Sequence, residues 1–179
     1  MTDTTAKVLD LPELTFEEGP HIYRLNGVEI PSVSTLMAPL KNVCYAGVGA
    51  KTLENAANKG TSVHNSIENW IKFGIEDVPK EHMGYFNAFM EWWNRYKPIV
   101  LASEMKVYHK LLQYGGTIDL LCIIGDMVTL VDFKTTYNLI EMSCGVQLEA
   151  YSQALSSHGI AIQKKHILHM KKDGKWAFP

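Results

Sequence analysis

Between Gly116 and Thr135 the chain runs Gly-Thr-Ile-Asp-Leu-Leu-Cys-Ile-Ile-Gly-Asp-Met-Val-Thr-Leu-Val-Asp-Phe-Lys-Thr. The pattern predicts two apolar strands joined by a two-residue turn at Gly125-Asp126, a pair suited to a tight hairpin. With that turn Ile124 faces Met127, and counting back along both strands puts Asp119 opposite Asp132. Lys134, two residues further, shares the strand face of Asp132. Directly opposed Cβ atoms lie roughly 5 Å apart, where like charges destabilise a pair. A solvated hairpin face would alternate polar and apolar residues. Here Ile118, Leu120, Leu121, Val131 and Phe133 crowd the acids from both faces, and unpaired carboxylates in such surroundings are costly. A divalent cation is the simplest group to offset the repulsion, and hard carboxylate oxygens suit Mg²⁺ or Mn²⁺.

A chain of 179 residues, 46% hydrophobic and 20% charged, fits one folded domain over residues 1–179 with an ordinary core. No apolar run reaches the length of a membrane span. The opening Met1-Thr-Asp-Thr-Thr-Ala-Lys7 lacks the apolar segment of a signal peptide, so a cytoplasmic protein is expected (the host cytoplasm if a phage encodes it) and no membrane partner. Three scattered cysteines, Cys44, Cys122 and Cys144, argue against a disulfide framework or a zinc site and exclude a four-cysteine iron–sulfur cluster within the chain. A formal net charge of −2 does not advertise nucleic-acid binding, although distribution counts for more than the total.

The remaining signals predict a mixed α/β fold, a central mixed sheet flanked by helices. Residues 1–18 read as a loose lead-in. His21 to Ile30 alternates around Asn26-Gly27, a hairpin signal. Ser32 or Ser34 is placed to cap a short helix ending near Pro39. A long helix is expected over 48–73, with Gly60 and His64 on one face and Gly60 letting another backbone approach. A second helix after Pro79 carries Tyr85, Phe86, Phe89, Trp92, Trp93 and Tyr96 at helical spacing. That stripe reads first as a core face and second as a stacking platform for bases. Strands follow near 100–110, 117–124 and 127–135, then a helix over 144–158 and a hairpin at Asp173-Gly174.

Asp119, Asp132 and Lys134 on paired strands resemble the core of the PD-(D/E)XK nuclease superfamily, and more narrowly its RecB-like exonuclease branch. Further segments match that branch in order. Lys59-Gly-Thr-Ser-Val-His64 resembles its G-x-x-x-H helix, and Glu104 its first-strand acid. Gln147-Leu-Glu-Ala-Tyr151 resembles its Gln-x-x-x-Tyr helix. His21 to Thr35 is similar to the N-terminal segment of phage and mitochondrial-maintenance exonucleases. The resemblance implies a restriction-endonuclease-like core and a metal-dependent DNA exonuclease of phage-type recombination, repair or genome processing, with recombination or replication proteins as partners. It implies Asp119, Asp132, Glu104 and His64 as metal ligands, of which the three acids are also catalytic. Lys134 would orient water or stabilise charge on the phosphate. Gln147 and Tyr151 would contact the DNA backbone, and the hydroxyls of Ser32, Ser34, Thr35 and Tyr45 would reach phosphates.

Plainer readings stand beside these. Glu104 is also an ordinary exposed strand position beside Lys106, His64 a solvent-facing helix histidine, and Gln147 and Tyr151 helix surface and core contact. The serines are equally caps and turns. A structure-selective endonuclease, or a DNA-binding adaptor without turnover, remains open on the same residues.

Overall fold

The computed structural model describes residues 9–179. Strands β1 (Leu14–Glu17), β2 (Ile22–Leu25) and β3 (Val28–Ile30) form an antiparallel sheet in that order. Its second turn is the expected Asn26-Gly27, with φ of 50° and 81° at the two positions, as the tight hairpin geometry requires. Strand β1 corrects the expectation of a loose lead-in over 1–18. Leu14 and Phe16 alternate toward an apolar cluster with Tyr23, Ile30 and Tyr108, too short a pattern to stand out among polar neighbours. Residues 1–8 of that stretch lie outside the described residues.

Helix α1 (Val33–Leu36) begins at Ser32, whose hydroxyl accepts the Thr35 N–H at 3.0 Å. Helix α2 (Ala38–Cys44) follows at once. Pro39 sits in its first turn rather than ending the helix before it, because a first turn needs no N–H from that residue. Helix α3 (Ala50–Phe73) matches the predicted long helix and closes on Gly74 at φ 67°, the left-handed stop that glycine adopts freely. A short 3₁₀ turn (Lys80–His82) leads into α4 (Met83–Tyr96). The aromatic stripe on α4 is core: Tyr85, Phe86, Phe89 and Trp92 are buried. At its start, Gly84 packs against backbone, and a Cβ there would lie 1.8 Å from the Lys172 carbonyl oxygen.

The second sheet has the order β4 (Ile99–Tyr108), β5 (Gly115–Ile124), β6 (Met127–Lys134), β7 (Lys164–Met170), β8 (Trp176–Ala177). Its pairs are antiparallel except β6 with β7, which run parallel across helix α5 (Glu141–Ser157). The expected mixed α/β architecture with flanking helices is therefore present. One sheet face packs Leu121, Leu130 and Ile167 under α1 and α5. The other packs Leu120, Val131 and Phe133 under α3 and α4. Gly116 lets α5 come close: a Cβ there would meet Tyr151 Cε1 at 2.5 Å. Among the described residues no helix is long and apolar enough to cross a membrane.

Candidate metal centre

The β5–β6 ladder has the predicted register, from Ile124 opposite Met127 to Leu120 opposite Val131. It stops one pair before the two aspartates. At that point the Asp119 carboxylate accepts the Phe133 N–H through Oδ2 at 2.7 Å. A side chain thus satisfies a strand donor that backbone would ordinarily take. Each aspartate has its own cation instead of facing the other bare. Lys134 pairs with Asp132 Oδ2, and His64 Nδ1 lies 3.5 Å from Asp119 Oδ1.

Glu104 arrives from the neighbouring strand in register. In the β4–β5 ladder Ser103 pairs with Leu120 and Met105 with Ile118, which leaves Glu104 beside Asp119. Glu104 has φ of 48°, a left-handed conformation that costs an ordinary residue on the order of 1–2 kcal/mol. Strain of this kind persists where surrounding structure fixes it, and it concentrates at functional sites. The Glu104 carboxylate reaches 3.9 Å from His64 Nδ1.

His64 comes down from α3. Its Nε2 meets the Phe133 carbonyl at 3.1 Å. A carbonyl oxygen only accepts, so Nε2 carries the hydrogen, and in the neutral ring Nδ1 presents its lone pair to Asp119 and Glu104. A backbone partner that fixes the tautomer is the usual support for a metal-binding imidazole. Burial by itself would lower the His64 pKa. The Asp119 carboxylate, by charge and hydrogen bond, and then Glu104 outweigh it and raise the value to about 9. Burial, followed by repulsion from Asp119, raises Glu104 to about 7. Asp119 lies below its usual value: burial would raise it, but the charge of His64 and its hydrogen bond prevail.

Of these groups, His64 opens onto a cleft of about 920 Å³ between α2, α3, the strand exit after Lys134 and the first turns of α5. Gly60, His64, Lys134, Ser34, Tyr45 and Gln147 are on its lining. The segment after Lys134 is fastened by three successive carbonyls. Lys59 Nζ donates to Thr135 O at 2.9 Å, His169 Nε2 to Thr136 O at 2.7 Å, and Lys171 Nζ to Tyr137 O. Lys134 is thereby anchored both before and after its own position.

Of the residues expected from sequence, His64, Glu104 and Asp119 come together, while Asp132 is held by Lys134 and stands outside that trio. Ser34 and Gln147 reach the cleft. Ser32 is buried and works as the α1 cap. Tyr151 is buried over Gly116 rather than offered to a ligand, and its hydroxyl accepts from Gln147 Nε2 at 3.4 Å. Gly60 is not required by a close backbone, since a Cβ there would meet nothing nearer than Thr135 Oγ1 at 3.9 Å. Sequence reasoning assigned no role to Lys59 or Lys41. It also passed over Glu68, whose charge adds to that around Glu104. Its spacing of four from His64 on one helix face was a usable signal. Lys41 carried none.

One ligand atom each from His64, Glu104 and Asp119 lies within 4.8 Å of the others. Donors about 2.0–2.6 Å from a common ion span a similar distance. Two carboxylates with one imidazole could hold a divalent cation. The chain finds no match among known protein families or curated proteins.

Proposed function

We propose that this protein is a metal-dependent DNA exonuclease, hydrolysing phosphodiester bonds in the manner of the PD-(D/E)XK, RecB-like enzymes its motifs resemble. One observation carries the reading. A tethered lysine and an imidazole with a fixed tautomer line one open cleft, and two carboxylates lie within ligand distance of that imidazole.

His64, Glu104 and Asp119 would hold the cation. When bound, Mg²⁺ or Mn²⁺ would polarise a phosphoryl oxygen and acidify a nearby water. The protein's own groups do the rest. The Phe133 carbonyl and N–H hold His64 and Asp119 in place, so the ligands are organised before any substrate arrives. Lys134, held by Asp132 and by the carbonyl anchors behind it, presents an ammonium where negative charge grows on the phosphate. No side chain need form a covalent intermediate, because water attacks directly. Tyr45 and Ser34 on the cleft wall supply hydroxyls for the polynucleotide backbone.

The test is digestion of end-labelled linear and closed-circular DNA, single- and double-stranded, with Mn²⁺, Mg²⁺ or EDTA. Loss of end label from linear DNA in metal, with circles spared, is the expected result. Nicking of circles would make the enzyme an endonuclease. No cleavage of any substrate in either metal would overturn the reading, and undiminished cleavage in EDTA would remove the metal from it.

A further inference from the structure

We propose that Lys41 forms, with Lys134, a second anion site in the cleft, one that holds a phosphate group adjacent to the phosphate at the metal centre. The identity of that phosphate as part of a polynucleotide rests on the nuclease reading; the anion site itself does not.

Lys41 stands on α2 and lines the cleft opposite the exit of β6. Its side chain is half-buried. Burial lowers its pKa, and the charge of Lys134 lowers it further, with only Asp132 acting the other way. Among the described residues Lys41 has no ion-pair partner, in contrast to Lys134 on Asp132, Lys72 on Glu68 and Lys165 on Glu149. A partly desolvated ammonium without a counter-charge, set against a second ammonium, is unfavourable in the free protein. An anion between them relieves both costs. The surroundings suit a phosphate rather than a carboxylic side chain, because neutral donors line the same cleft: Ser34, Asn42, Thr136 and Ser143. Tetrahedral oxygens use several such donors at once. Lys41, Lys134 and His64 line one cleft, so a phosphate held by the two lysines lies in the same cleft as the metal centre's histidine.

The experiment compares wild type with Lys41→Met, Lys41→Arg and, as a charge-matched control on exposed α3 surface, Lys51→Met. Thermal shifts are read in inorganic phosphate against chloride at equal ionic strength and without divalent metal. Phosphate should raise the melting temperature of wild type, Lys41→Arg and Lys51→Met, and Lys41→Met should lose most of that rise. With a DNA substrate and Mn²⁺, Lys41→Met should raise KM by about tenfold, as for loss of one charge-assisted contact, with kcat little changed. Its log KM against log salt slope should fall by about one relative to Lys51→Met. If Lys41→Met keeps the phosphate-induced shift and the wild-type KM, the anion site is wrong while the nuclease reading survives. If wild type cuts no DNA yet shows a Lys41-dependent phosphate shift, the nuclease reading fails and the anion site stands.

Discussion

Near its turn, the β5–β6 hairpin keeps strict register, and Leu121, Leu130 and Cys122 bury their side chains between the two helical layers. At its other end the ladder breaks, a carboxylate replaces a carbonyl as acceptor, and four side chains, His64 with Asp119 and Lys134 with Asp132, pair at the edge of the same core. One end is optimised for packing. The other gives up backbone pairing and a relaxed φ at Glu104 to bring unlike charges together. Proteins commonly trade stability for a prepared site in this way.

The largest effect should come from the packed end. Leu121→Ala should cost about 2–5 kcal/mol in denaturant unfolding, by lost burial and the cavity left behind, while turnover per folded molecule stays near wild type. If turnover collapses in the fraction still folded, the two ends are not separable. At the site end the outcome should reverse. Lys134→Ala should slow DNA cleavage by roughly a hundredfold or more, in protein whose circular dichroism is unchanged. Near wild-type rates would make Lys134 a purely structural partner of Asp132.

A third comparison uses pH. Without metal, Glu104 is raised from 4.5 to about 7 and His64 from 6.5 to about 9. Both groups hold their proton more tightly when folded. Their contributions are complete below pH 4.5 and pH 6.5 respectively, and are lost as pH rises through 7 and then 9. Metal-free protein should therefore lose stability between about pH 5 and pH 9. Mn²⁺ affinity should rise over the same range, since binding displaces those protons. Melting curves across pH with Mn²⁺ and with EDTA read both trends, and Glu104→Gln should flatten the part below pH 8. Parallel curves with and without metal would place the cation elsewhere. The smallest effect belongs to neither end. Ser32→Ala should cost about 1 kcal/mol as a lost helix cap and leave cleavage kinetics alone; a raised KM would restore Ser32 as a substrate contact.

The same contrast explains what could be read from the amino acids alone. Gly125-Asp126 sets a local turn, and register propagates from it residue by residue, so the pairing from Ile124 with Met127 to Leu120 with Val131 was legible, while the break at the aspartates was not. The stripe on α4 has a helical period and a single role, so it too was legible. What escaped depends on the third dimension. The left-handed Glu104 is an ordinary glutamate in sequence, and its flanking residues keep regular strand register, so nothing local marks its conformation. Gln147 and Tyr151 share a helix face, but only packing over Gly116 decides that one lines the cleft and the other is buried. Lys41 owes its place to Pro39 starting a helix instead of finishing one.

The contact at Gly84 has a consequence for how the chain comes together in time. The first turn of α4 packs closely against the carbonyl of Lys172, and the segment beyond that residue brings Trp176 and Phe178 onto Tyr96 and Trp92. A ribosome delivers α4 long before that segment. During the interval the helix carries an aromatic face with no permanent cover on this side. A nascent chain paused between Tyr96 and Lys172 would thus be at its stickiest, and slow translation across that interval should favour capture by chaperones over native closure.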